Sequence, residues 1–305
     1  MTALPDFEVR AADDVDPGDL VDVLSAGYGR TFTREWFQWK HCENPWGASR
    51  SYVAVDDGGI LGVVFGLPWK LRVGDQIVET SRLVDGATTP RAARRGVFRN
   101  VVAAELANWR AEERPGVVLA TATPEAQAAH VKNGAVALDA IQSAYRPVRW
   151  SRATLETNFS VLETFELAQP TNRTITAWDV AALRWRLDPR SGIDYAVSRL
   201  ANSDSAHGVV HRTVSNRGLR TIVLTAHWGP EAEYNKLLRV LAWQSKALAV
   251  LAPSGPGAAD PMPSVALKRG QSLLCVWDRR ADTEATPLGS RASWALDGFD
   301  LEGVI

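Results

Sequence analysis

TTPRAARRGVFRNVV, residues 88–102, is the stretch on which the reading of the fold turns. Four arginines (Arg91, Arg94, Arg95 and Arg99) crowd one glycine, Gly96, where an extended run gives way to a helical one. No acidic residue occurs between Asp85 and Glu105. A helix start carries partial positive charge, so cations collect there at a cost unless an anion answers them. The unpaired amides of the same helix start form an anion site. Gly96, lacking a Cβ, lets a ligand approach the backbone, and guanidinium forks match phosphate oxygens. The stretch reads either as a cradle for a phosphate or diphosphate, or as a solvated loop with its arginines in water.

Outward from this loop the pattern is regular. FEVRAA (7–12) alternates as a strand. DPGDLVDVLSAGYG (16–29) has Asp16 as a helix cap and Pro17 in the first turn. REWFQWKHC (34–42) reads as a second helix, ending before Asn44-Pro45. SYVAV (51–55) and ILGVVFG (60–66), joined by DDGG, give a hairpin signal, as do WKLRV (69–73) and QIVETSRLVDGAT (76–88) across Gly74-Asp75. Past the loop, Phe98, Val102, Leu106 and Trp109 recur at helical spacing. PGVVLATAT (115–123) reads as a buried strand, EAQAAHVKN (125–133) as a short helix closed by Gly134, and AVALDAIQSAYRPVRW (135–150) as a closing strand pair.

Residues 1–150 therefore read as one domain, β-α-α-β-β-β-α-β-α-β, and the aperiodic stretch 151–173 as a connector. Residues 174–305 echo the first domain in order. WKHCENP (39–45) is answered by WRLDP (185–189), and Tyr52 with GVVF (62–65) by Tyr195 with GVVH (208–211). The long strand before the arginine loop is answered by LRTIVLTAH (219–227), and its helix by EAEYNKLLRVLAW (231–243). VVLAT (117–121) is answered by LAVLA (248–252), and VKNG (131–134) by LKRG (267–270). Six echoes in one order predict a duplication.

The totals narrow the classes. A chain of 305 residues suffices for two domains with a sizeable core. Its 34 basic and 35 acidic residues leave a net charge of −1, so phosphate-binding charge must be local and nothing global points to nucleic acid. Cys42 and Cys275 alone make neither a disulfide framework nor a zinc quartet. The N-terminal stretch lacks the basic and apolar regions of a signal peptide, and no apolar run is long enough to span a bilayer. These features predict a cytoplasmic protein without a membrane partner and leave its oligomeric state open. P-loop, dinucleotide-fingerprint and Ser-His-Asp patterns are missing from the sequence.

Three segments together, VDGATTPRAARRGVF (84–98), VVLAT (117–121) and TPEAQAAHVKNG (123–134), resemble the GNAT superfamily of acyl-CoA-dependent N-acyltransferases. Many of its members read P-x-x-R-G-x-G-x-[GAF] at the first site and N-x-x-A-x-x-x-Y-x-K-x-G at the second. The strand order and lengths over 7–148 also fit. The resemblance implies a mixed α/β fold of two tandem GNAT-like domains with mostly antiparallel sheets. It implies a cradle for the CoA pyrophosphate built from Ala87, Thr88, Thr89, Arg91, Arg94, Arg95, Gly96, Val97, Phe98, Arg99 and Thr123, and a splayed strand pair admitting the pantetheine arm. Acetyl-CoA or another acyl-CoA would be the co-substrate, with no metal, and the acceptor an amine of a small molecule or peptide. The departures are Ala93 for an Arg or Gln, Arg94 for the first glycine, Thr123 for the asparagine and His130 for the tyrosine that protonates the leaving thiolate in many members. They leave room for a donor carried on an acyl carrier protein or an aminoacyl-tRNA, or for a non-catalytic binding module. In the second half the matching loop, HWGPEAE (227–233), has no arginine. That half is expected to shape the acceptor site.

Acyl transfer to an amine needs a base, donors for the oxyanion and a proton for the thiolate. Asp85 and Glu79 are the carboxylates of the strand entering the loop, and strict alternation puts them on one face. Asp85 is the favoured base; its structural alternative is to cap the turn or pair with Arg82 or a loop arginine. His130 is the candidate acid, or else a satisfied histidine. Trp39, His41 and His227 are candidate acceptor-site residues. The tryptophans 36, 39, 46 and 69 would line a greasy cleft or serve as the joint between the two lobes. His41, Cys42 and Glu43 are adjacent in sequence and cannot readily converge on one metal ion.

Overall fold

The computed structural model describes residues 6–111, 116–138, 141–165, 173–216, 218–254, 269–279, 288–289 and 293–296. The chain runs β1 (Glu8–Ala11), α1 (Pro17–Tyr28), α2 (Arg34–Phe37) continuing into a π-helical turn at Gln38–Cys42, β2 (Arg50–Asp56), β3 (Gly59–Val73), β4 (Gln76–Thr88), α3 (Val97–Ala111), β5 (Val117–Ala122), α4 (Pro124–Lys132), β6 (Val136–Ala137) and β7 (Ile141–Pro147). It continues with β8 (Leu155–Thr157), β9 (Ile175–Thr176), α5 (Val180–Arg186), β10 (Ala196–Leu200), β11 (Gly208–Asn216), β12 (Leu219–Trp228), α6 (Glu231–Ser245), β13 (Ala249–Ser254) and β14 (Arg269–Asp278). The fold is mixed α/β, with two mixed, mostly antiparallel sheets.

Two compact units result: Met1–Lys70 with Val78–Leu138 and Leu273–Glu284, and Leu71–Ile77 with Asp139–Ser272 and Ala285–Ile305. The strand order of the first is β1-β2-β3-β4-β5-β14. β1–β2, β2–β3 and β5–β14 are antiparallel, while β4 and β5 are parallel. A parallel pair needs a crossover, and α3 supplies it. Its buried side, Val97, Val101, Val102, Leu106 and Trp109, packs on Leu61, Val64, Leu83, Val118 and Ala120. Leu20, Val21 and Leu24 of α1, with Phe32 and Phe37, pack with Val53, Val63, Phe65 and Ala87.

The second unit has the order β7-β13-β12-β11-β10-β8, with β14 residues Arg269 and Ser272 laddered to β7. Here β12 and β13 are the parallel pair and α6 the crossover. Tyr234, Leu237, Leu238 and Leu241 of α6 pack with Leu200, Val209, Ile222 and Val250. The two strand orders correspond position for position: β1-β2-β3-β4-β5-β14 beside β8-β10-β11-β12-β13-β7. The echo at 267–270 lies partly outside the described residues.

Four expectations are corrected. The units are not the linear spans 1–150 and 174–305, because each sheet closes on a strand from a distant part of the chain. Leu273–Asp278 ladders with β5, and Gln142–Pro147 with β13, covering the backbone groups that an open edge would expose. The stretch 151–173 is more than a connector, since β8 pairs with β10 and Val161 and Leu162 are buried. ILGVVFG and WKLRV are one strand, β3, passing through Pro68, whose carbonyl accepts from Asn44 Nδ2 at 2.8 Å. The strands at 135–150 do not pair with one another: β6 joins β14 and β7 joins β13.

Gly208 marks a tight contact in the second unit. A Cβ there would lie 2.2 Å from the Trp228 ring, whose Nε1 donates to Thr164 Oγ1 at 3.3 Å. Gly208→Ala is expected to destabilise the protein by about 2 kcal/mol through overpacking, read as a lowered urea midpoint; an unchanged midpoint would contradict this packing.

Candidate active site

The parallel ladder between β4 and β5 runs from Thr80↔Val117 to Leu83↔Ala120. Beyond it β4 continues to Thr88, with Asp85 in the left-handed region at φ 48°. Thr89 N–H donates to Leu61 O of β3 at 2.8 Å. Strand alternation then turns the polar backbone groups of Thr88 and Gly86 to the opposite side, where the ladder with β5 has stopped. Gly86 is required there, since a Cβ would lie 2.5 Å from the Phe98 ring.

A mostly buried ion pair anchors the start of this segment. Lys40 Nζ lies 2.7 Å from Asp85 Oδ2 and donates to Asp85 Oδ1 at 3.1 Å. His41 Nε2 faces Asp85 Oδ2 at 3.3 Å, while its Nδ1 is 3.0 Å from Ser49 Oγ. Lys40 and His41 both come from the π-helical turn, which widens the helix and delivers two consecutive side chains to one carboxylate. Burial by itself raises the Asp85 carboxyl, but Lys40 and His41 outweigh it and hold it far below the usual carboxylate range. Burial pushes the His41 imidazole down against the pull of Asp85. The half-exposed Tyr28 turns its hydroxyl to donate to Gly86 O at 3.4 Å. Desolvation and the Asp85 charge raise its pKa, so the phenol stays protonated.

At the C-terminal end of β4 the arginine loop makes a short 3-10 turn at Pro90–Ala92 and enters α3 at Val97. Arg94 and Gly96 are both left-handed, at φ 61° and 75°. The amides of Val97, Phe98 and Arg99 open the helix and have no intrahelical acceptor. The four arginines divide. Arg91 pairs with Asp56 Oδ1 at 3.1 Å, and Arg95 with Asp56 Oδ2 at 3.0 Å and Asp6 Oδ1 at 2.9 Å. The Arg95 hydrogen bond leads the causes that hold Asp56 below its ordinary pKa. Arg94 and Arg99 are exposed, and neither guanidinium has an ionic or hydrogen-bond partner among the described residues.

Other expected site residues stand elsewhere. Glu79 is exposed at the opposite end of β4, six residues from Asp85 and thus about 20 Å along an extended strand. Thr123 caps α4, accepting from Ala126 N at 3.4 Å. His130 is 4% exposed, its ring 5.6 Å from Phe98 and 5.4 Å from Trp277. Burial pushes its pKa down to about 4. At neutral pH it therefore has no imidazolium proton to give. Trp39 is core, 2% exposed. His227 belongs to the second unit, where it stacks on Tyr234 at 4.4 Å. Lys40, Tyr28 and Ser49 escaped the sequence reading because neither periodicity nor motif marks them. Among the described residues no three His, Cys, Asp or Glu side chains come together as a metal site.

Residues 8–127 match the model of the acetyltransferase (GNAT) domain. No curated protein matches the chain in sequence. Among solved structures, a GCN5-related N-acetyltransferase from Anabaena variabilis shares 15% identity over 88% of this chain and 72% of its own, with a TM-score of 0.68. A probable N-acyltransferase of unknown function from Enterococcus faecalis shares 12% over 90% and 72%, TM-score 0.67. The N-myristoyltransferase of Saccharomyces cerevisiae with bound myristoyl-CoA shares 10% over 90% and 83%, TM-score 0.53. At these identities the likeness is one of fold, extending over nine-tenths of the chain.

The buried charges give two expected outcomes. Asp85→Asn strands Lys40 and should cost about 3 kcal/mol, much of it recovered when Lys40→Met is added; urea midpoints that do not recover would refute the pairing. His130 and the buried His211, also pushed to about 4, are held neutral by the fold. Unfolding takes up protons between the ordinary value of 6.5 and about 4. Stability is full above that window and falls as pH drops through it, by about 1.4 kcal/mol per pH unit per histidine. Denaturation measured across pH should lose this slope in the His130→Gln, His211→Gln double variant; an unchanged slope would contradict the assignment.

Proposed function

We propose that the protein is an N-acyltransferase that moves an acyl group, acetyl foremost, from acyl-CoA to the amine of a small molecule or peptide. The observation that carries this reading is the coincidence of an interrupted parallel ladder with an arginine-flanked helix start at the same strand end. The amides of Val97–Arg99, with the free guanidiniums of Arg94 and Arg99, form the site for a diphosphate. The outward amides of Gly86 and Thr88 suit a thioester carbonyl, whose oxygen gains charge as the amine nitrogen attacks. The C–N bond forms, the C–S bond breaks, the amine loses a proton and the thiolate gains one.

The side-chain roles shift from those expected. Asp85 is an anion holding Lys40, not a base poised near neutrality, and it acts by fixing the backbone turn that ends the β4–β5 ladder. Tyr28, bonded to Gly86 O, orients the same strand and presents a protonated hydroxyl beside it. His130 packs under Phe98. Arg91 and Arg95 tie the loop to Asp56 and Asp6. We further read the second unit as a repeat of the first without a phosphate cradle. Two free guanidiniums also suit the single phosphate of a carrier-protein arm, which is the second reading.

Calorimetry with acetyl-CoA tests the assignment. Arg94→Gly should weaken binding about tenfold, the loss of one charge-assisted contact, while relieving about 1 kcal/mol of left-handed strain. Arg99→Ala should weaken it similarly, and Arg91→Ala by no more than about twofold, because its exposed pair with Asp56 contributes little. No heat with acetyl-CoA, CoA or a long-chain acyl-CoA would overturn the reading.

A further inference from the structure

Three turns of the second unit meet in a patch that acyl transfer does not explain. Trp150 follows β7, Trp243 lies near the end of α6, Leu248 precedes β13 and Leu219 opens β12. They are 47%, 37%, 54% and 39% exposed. Trp150, Trp243 and Leu248 lie together on the α6 side of the sheet: the Trp150 and Trp243 rings are 5.4 Å apart, and Trp150 Nε1 donates to Ala247 O at 2.9 Å. Leu248 bridges the other two segments, its N–H donating to Arg220 O at 3.0 Å and its carbonyl accepting from Val148 N at 3.3 Å.

The charge around these side chains has one sign. Arg149, Arg152, Arg220, Arg239 and Lys246 are exposed on the same segments. Arg152 lies over the Trp243 ring at 4.9 Å, and Arg239 O accepts from Ser151 N at 3.2 Å. None of the five cations has a carboxylate partner among the described residues. No Asp or Glu occurs at 140–155, 206–230 or 234–254. In a protein of net charge −1, such a stretch is a local excess, not a reflection of composition.

We propose that this patch docks on an anionic phospholipid surface. Tryptophan and leucine tips ringed by cations have the composition of an interfacial contact: the apolar tips enter the headgroup boundary and the cations meet lipid phosphates. Such a contact needs no spanning segment, so the shortness of every apolar run does not bear on it. The apolar groups occupy turns and a helix end. They offer neither a free strand edge for β-augmentation nor a helical stripe for a groove-binding partner. A second copy placed by a two-fold axis would set five cations against five. Arg152 covers the Trp243 face on which a nucleobase would stack.

The test is co-sedimentation of the full chain with phosphatidylcholine vesicles, with and without about 30 mol % phosphatidylglycerol. The protein should bind the anionic vesicles and not the neutral ones, and binding should fade at high salt. Arg149→Glu with Arg239→Glu should weaken binding by at least about tenfold. Leu248→Ser, at a half-exposed side chain, should also weaken it while lowering the urea midpoint little. No binding to anionic vesicles, or binding indifferent to both variants, overturns the proposal. So does a dimer that dissociates in Leu248→Ser, or tight binding of single-stranded DNA or a polyglutamate peptide through these residues without vesicle binding. Acetyl-CoA calorimetry on the same variants keeps this result separate from the transferase reading, since none of these residues belongs to the arginine loop.

Discussion

A parallel ladder that stops is the constraint on which the rest of the first unit depends. β4 and β5 are joined through Leu83↔Ala120, and at Asp85 the backbone turns left-handed. A non-glycine residue in that region holds only where its surroundings over-determine it. Lys40, His41 and the Tyr28–Gly86 hydrogen bond are those surroundings. A buried charge would be costly alone; paired with an ammonium it becomes a peg that fixes the path of the strand. Past that peg, β4 runs on beyond the end of its ladder with β5.

The arginine loop shows how a charge cluster can carry two jobs at once. Asp56 and Asp6 take two guanidiniums and thereby set the loop on the first unit. The remaining two project without partners, on either side of a glycine at positive φ and beside three unpaired amides. Sequence spacing alone cannot divide four arginines in this way, because the dividing carboxylates lie 35 residues or more away along the chain.

Much of the fold was legible because it rests on local signals. The cap Asp16, the Pro17 after it, the DDGG turn and the apolar spacing of α3 are each local signals. The order of echoes between the halves forecast the matching strand orders. The swap of β7 and β14 was not legible, since strand partnership is a long-range choice that a short apolar run does not encode. In the candidate site the loop and Gly96 were readable by motif. Lys40 was not, because it depends on a π-helical turn that brings 40 and 41 to one carboxylate. Asp85 and His130 were singled out in the sequence as a base and an acid; the structure surrounds Asp85 with Lys40 and His41 and buries His130 beside Phe98 and Trp277. Their chemistry depends on burial and partners, which only the fold supplies.

If the end of β4 and the start of α3 bind the acyl-CoA donor through backbone amides, those amides must become protected when the donor is present. Amide hydrogen exchange with and without acetyl-CoA measures them directly. Exchange should slow at Gly86 and Thr88 and at Val97–Arg99, with residues 219–228 of the second unit unaffected. Exchange at residues 86–99 that is the same with saturating donor as without it would contradict donor binding at this strand end.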